Sequence, residues 1–117
     1  MKINFVNFDD KFLKYSWSWL NDPEIKFLTN TSDFSKEDQA NWYEKIQANH
    51  GYLIWGIEAD SEKIGVCGLK NFTVVDCEYW GYIGNKSYWG KGIGLHIMKA
   101  MEKKAKSLKL NSIWLKV

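Results

Sequence analysis

Residues 2–8 alternate polar and apolar side chains, with Ile3 and Phe5 set against Lys2 and Asn4, as a half-buried β-strand requires. From Asp9 the period changes. Phe12, Leu13, Ser16, Trp17 and Leu20 recur at three- and four-residue spacing, which predicts a helix, and Asn21-Asp22-Pro23 ends it ahead of a short second turn. Ser35 followed by Asp38 predicts a capped helix start, and Ala40, Trp42, Tyr43 and Ile46 carry that second helix to about residue 48. Two β-rich runs, 52–59 and 63–72, flank the polar loop Asp60-Ser61-Glu62 and are expected to pair as an antiparallel hairpin.

A further strand is expected over residues 74–84. A long helix over 92–108 follows it, with Ile93, Ile97, Met98, Met101, Ala105 and Leu108 on one stripe. The run 112–117 predicts a last strand that meets the chain end without a turn or a polar tail. The order is thus β-α-α-β-β-β-α-β. The last strand, reached by a helical crossover, should lie parallel to its predecessor in a mixed α/β sheet.

Composition narrows the class. In 117 residues, 45% are apolar, with seven Trp, six Tyr and six Phe, so residues 1–117 can form one domain with a real core. The net charge is only +2, and the main basic cluster (Lys99, Lys103, Lys104, Lys106, Lys109) has helical spacing, which reads as a solvated face. Arg is absent, which counts against nucleic-acid recognition. Cys67 and Cys77 stand in apolar runs without metal-site spacing and are expected as reduced core residues, with no metal. No apolar stretch has the length of a signal peptide core or a membrane span, so a cytoplasmic location is expected.

The chemistry concentrates in the run 82–94, Tyr-Ile-Gly-Asn-Lys-Ser-Tyr-Trp-Gly-Lys-Gly-Ile-Gly, between a strand and a helix start. Gly90, Gly92 and Gly94 remove side chains where backbone amides must approach a ligand, and a helix N-terminus adds roughly half a positive charge. Such a turn suits a pyrophosphate. A dinucleotide-binding GxGxxG fails, because Leu95 or Ile97 stands where its third glycine is needed. A Walker A loop fails as well, because five residues rather than four separate Gly84 from Gly90 and Gly92 follows Lys91.

Trp89-Gly90-Lys91-Gly92-Ile93-Gly94 resembles the acyl-CoA signature of the GNAT superfamily, in which Gln or Arg, two residues, Gly, one residue and Gly or Ala follow in order. Trp89 departs from the first position. The sequence Tyr88-Trp89-Gly90-Lys91-Gly92 is similar to the branch of ribosomal-protein N-terminal acetyltransferases, where that departure occurs. The element order agrees with that family over nearly the whole chain.

The resemblance implies a GNAT-like fold that binds acetyl-CoA as co-substrate between splayed parallel strands and transfers acetyl to a primary amine. The acceptor would be a protein N-terminus, a small amine or an amino sugar. Tyr82, Ile83 and Gly84 match the positions that pair with pantetheine, and an amide near Ile83 or Gly84 matches an oxyanion donor. Trp89, Gly90, Lys91, Gly92, Ile93 and Gly94 match the pyrophosphate loop.

An attacking amine must be neutral, and a Lys-type amine titrates near ~10.4, so a base is expected. Glu78 on the same strand is the candidate, sharing a face with Trp80 and Tyr82. Its alternative is an exposed strand residue. His50 and His96 have no partner at diagnostic spacing, and Tyr79, Trp80, Tyr82 and Tyr88 read as core or as acceptor pocket. Trp17, Trp19, Asp22, Glu24 and residues 27–34 occupy the region where the family shapes its acceptor site.

The family's final helix and hairpin, which commonly supply a Tyr general acid, have no counterpart here. The last strand is therefore expected to be an exposed edge that promotes homo-oligomers. A non-catalytic acyl-CoA-binding or interaction module is the alternative to an enzyme, and a purely structural α/β domain a third.

Overall fold

The computed structural model describes residues 1–116. Its elements are β1 (Ile3–Asn7), α1 (Asp10–Leu20), α2 (Pro23–Thr29), α3 (Lys36–Ala48), β2 (Leu53–Ala59), β3 (Glu62–Lys70), β4 (Asp76–Ile83), α4 (Ile93–Ser107) and β5 (Ser112–Trp114). A single 3₁₀ turn, Lys86–Tyr88, lies between β4 and α4.

The strands form one five-stranded sheet in sequence order. β1 to β4 are antiparallel neighbours, and β4 and β5 are parallel, as the helical crossover requires. The mixed sheet agrees with the expected fold class. No helix among the described residues is long and apolar enough to cross a membrane.

β3 stops at Lys70 rather than 72, β4 covers Asp76–Ile83 rather than 74–84, and three further boundaries differ from the sequence expectation. The short turn after Pro23 is a two-turn helix, because Asp22 accepts hydrogen bonds from the amides of Glu24 and Ile25 and Pro23 fills a first-turn position that needs no donor. The hairpin turn is Asp60-Ser61 alone. Both have positive φ, 50° and 71°, as a tight primed turn demands, and Glu62 is already paired with Ala59. The last strand is only Ser112–Trp114 rather than the whole of 112–117; Leu115 and Lys116 lie outside it, and Val117 lies outside the described residues.

The α3 start follows expectation closely. Ser35 Oγ accepts from the Asp38 amide at 3.0 Å, while Asp38 accepts from the Ser35 amide at 2.9 Å.

Each sheet face is covered by a different helix group. On one face Ile93, Ile97, Met101 and Ala105 of α4 pack with Cys67, Leu69 and Cys77, all buried. On the other, Phe8, Phe12 and Val66 form a second cluster with Trp19, Trp42, Tyr43, Trp80 and Tyr82. Cys67 and Cys77 are free thiols inside the first cluster, as expected. Burial pushes the Cys67 thiol up to about 12.

Candidate acyl-CoA cleft and acceptor wall

β5 pairs with β4 only at Asp76↔Ser112, Cys77↔Ile113 and Glu78↔Trp114. β4 runs on for five further residues to Ile83, still paired with β3 on its other side up to Gly65↔Ile83. Its edge from Tyr79 onward therefore has no strand beside it among the described residues.

Alternation decides which main-chain groups this edge offers. The Gly84 amide donates to Ile64 O at 2.7 Å, and the Tyr82 carbonyl faces Gly65, so both residues turn toward β3. Gly81 and Ile83 then turn outward. Of the three strand positions expected to meet pantetheine, the structure thus gives the outward role to Ile83. Gly84, whose amide is spent within the sheet, is replaced as a candidate oxyanion donor by Ile83.

The glycine loop closes one end of this edge. Trp89 Nε1 donates to Ile83 O at 2.8 Å and so ties the loop to the strand. Tyr88 Oη and Asn85 Nδ2 both donate to Glu62, at 2.7 and 3.0 Å, which anchors the 3₁₀ turn. Gly90 and Gly92 have φ of +74° and +75°, left-handed values that side chains other than glycine resist.

A Cβ built on Gly90, Gly92 or Gly94 would meet no protein atom within 4 Å. Space for a ligand therefore stands open in front of all three. Lys91 is exposed between them, and Ile93 points into the core.

The helix behind the loop lacks the cap its fellows have. Asp9, Asp22 and Ser35 cap α1, α2 and α3 with side-chain acceptors, whereas α4 has Gly92 at its cap position, with no side-chain cap and no acidic residue in its first turn. Its free first-turn amides and dipole suit an anion.

Loop, open edge and α2 meet in one cleft of about 380 Å³, lined by Ile25, Leu28 and Thr29 on one side and Tyr79, Gly81, Tyr82, Ile83, Trp89, Gly90, Gly94 and Ile97 on the other. Burial pushes the Tyr79 hydroxyl up to about 12, so it stays protonated in that wall. Of the residues expected from sequence, Tyr82, Ile83, Trp89, Gly90 and Gly94 line the cleft, whereas Gly84, Lys91, Gly92 and Ile93 do not.

Glu78 is not among the residues lining it. Glu78 is 7% exposed, its carboxylate accepts from Asn71 Nδ2 at 2.7 Å, and it sits where β4 and β5 last pair, beside the cleft's inner end. It is therefore buried and not the exposed strand residue of the alternative reading. Trp80 and Tyr82 share its face and pack into the second core cluster. His50 and His96 are exposed.

Of the region 27–34 expected at the acceptor site, Leu28 and Thr29 line the cleft, joined by Ile25. Sequence reasoning missed Lys86, whose Nζ pairs with Asp22 Oδ2 at 2.9 Å and Glu24 Oε1 at 3.0 Å and lies 5.8 Å from the Trp89 ring centroid. This clasp joins the start of α2 to the glycine loop. It also holds the Asp22 carboxyl below its ordinary value and the Lys86 ammonium above its own.

A sheet parted along one edge, beside a glycine loop and an uncapped helix start, defines a protein that binds an extended anionic co-substrate. The acetyltransferase (GNAT) domain family matches residues 4–117, and the chain belongs to that family of acetyltransferases. No curated protein sequence matches the chain.

Solved structures agree on the fold. A spermidine N-acetyltransferase from Vibrio cholerae in complex with CoA and spermine superposes with a TM-score of 0.81 at 19% identity, over 97% of this chain and 69% of that one. The N-acetyltransferase PseH of Campylobacter jejuni in complex with acetyl coenzyme A gives 0.70 at 20% identity, over 99% and 77%. A domain from Methanocaldococcus jannaschii gives 0.76 at 22%, over 92% and 71%.

Proposed function

We propose that residues 1–117 act as an acetyltransferase domain that moves acetyl from acetyl-CoA to a primary amine by direct attack. The observation that carries this reading is the convergence of the open β4 edge and the uncapped α4 N-terminus on one cleft. The outward main-chain groups of Gly81 and the outward amide of Ile83 can pair with pantetheine as an added strand would. First-turn amides of α4 and the Gly90–Gly94 loop can hold the pyrophosphate.

The thioester then lies at the inner end of the cleft. Attack of a neutral amine forms the amide bond and breaks the C–S bond, with the coenzyme thiolate leaving. An outward amide of the open β4 edge stabilises the oxygen that gains charge. The amine proton passes through water to Glu78, whose Asn71 partner fixes the carboxylate. Acceptors in this reading are a peptide N-terminus, a small amine or an amino sugar.

Calorimetric titration with acetyl-CoA, followed by thiol release in the presence of amines, tests it. Binding with turnover that falls about a hundredfold or more in Glu78→Gln supports the transferase and its base. Binding with no turnover of any amine would favour a non-catalytic module, and no binding would sink the reading.

A further inference from the structure

We propose that α2 makes the acceptor side of this cleft selective for primary amines carried on an apolar group and unreceptive to polycations. The proposal rests on the acetyl-transfer reading above. Its first support is the character of the wall. Ile25 and Leu28 line the cleft opposite Tyr79 and Ile83, Leu28 is 63% exposed, and its neighbour Phe27 is 83% exposed. Leu28 is thus a large apolar side chain held in solvent at the cleft, where an apolar ligand group would cover it.

The one polar residue of that wall is satisfied internally. Thr29 Oγ1 donates to Ile25 O at 2.8 Å and is within 2.6 Å of Thr31 Oγ1.

The second support is independent and electrostatic. A polycation needs carboxylates free to receive its distal ammonium groups. Those on and around α2 are already paired: Asp22 and Glu24 with Lys86, and Asp33 with Lys26 at 2.6 Å. Two acids shared by one lysine keep one net negative charge, too little for the several ammonium groups of a polyamine such as the spermine bound by the Vibrio cholerae enzyme. An amine with a single charge and an apolar body needs no more than that one charge and gains the Leu28 surface.

The test uses the full chain saturated with CoA, titrated with phenethylamine and with spermidine by calorimetry, on the wild type and on Leu28→Asp and Lys86→Met, each checked for an intact melting transition. The wild type is expected to bind phenethylamine about tenfold or more tighter than spermidine, the ratio that burial of one apolar group supplies. Leu28→Asp should narrow or reverse that ratio. Lys86→Met should strengthen spermidine several-fold by freeing Asp22 and Glu24, a gain that mere structural damage does not produce.

Equal or tighter spermidine binding by the wild type, or a ratio unmoved in both variants, overturns the inference while leaving the cofactor reading intact. Failure of CoA itself to bind overturns the acetyl-transfer reading and this inference with it.

Discussion

Gly94→Glu should make the protein more stable and unable to bind its co-substrate. Gly94 is the second residue of α4, its φ is not positive, and a Cβ there meets no atom within 4 Å. Replacing a helical glycine recovers about 0.5–1 kcal/mol of backbone entropy. A carboxylate in the first turn, opposite an otherwise uncapped dipole, adds about 0.3–1 kcal/mol. The folded state should therefore gain about 1–2 kcal/mol and several degrees in Tm.

The same carboxylate projects into the space assigned to the pyrophosphate. One like-charge pair at about 4 Å in an effective dielectric near 20 costs about 4 kcal/mol, which corresponds to about a thousandfold in Kd. Salt screening moderates this, and steric exclusion adds to it, so a loss of at least about a hundredfold is expected in 0.15 M salt. Urea denaturation and calorimetric titration with acetyl-CoA measure the two effects separately. A destabilised variant would refute the open-space argument, and near-normal affinity would refute the placement of the pyrophosphate at the start of α4.

Trp89→Phe keeps the ring and removes the indole donor to Ile83 O, so acetyl-CoA should bind about fivefold more weakly, the value of about 1 kcal/mol for one lost hydrogen bond, as read by calorimetry. Ser35→Ala removes the acceptor for the Asp38 amide and should cost about 1 kcal/mol in urea denaturation with no effect on co-substrate affinity. Cys67, whose folded value lies near 12 against an ordinary 9.0, should resist iodoacetamide at pH 8 until the chain is unfolded. Because that value is raised, the stability linked to the neutral thiol is complete below pH 9 and drains away as pH climbs from about 9 toward 12, which an alkaline melting series will show.

Periodicity made most of the fold legible. The α4 stripe, the Ser35–Asp38 cap and the β2–β3 hairpin depend on neighbours in sequence, so local chemistry sets them. The sequence predicts only a turn at α2, because seven residues hold too few turns to show a period, although Asp22 and Pro23 together do mark a helix start. The choice between Ile83 and Gly84 needed the sheet register, since only the bond from Gly84 to Ile64 shows which amides turn outward. The reach of β5 escaped sequence reasoning for a related reason. Ile113, Trp114 and Leu115 all favour strand, and pairing partners rather than propensity end β5 at Trp114.

The features least visible in sequence are the ones that shape the cleft. A parted edge leaves strand hydrogen bonds unmade, and an uncapped helix leaves first-turn amides unpaired, so each lowers stability in the absence of a ligand. Both shortfalls fall on the same side of β4, whereas the other three α-helices are capped and the rest of β4 is paired. A fold shaped by stability alone would spread such losses or repair them, and one acidic residue at the start of α4 would suffice. In the reading proposed above, acetyl-CoA lying along β4 answers both shortfalls found among the described residues, meeting the outward β4 groups and the α4 start at once.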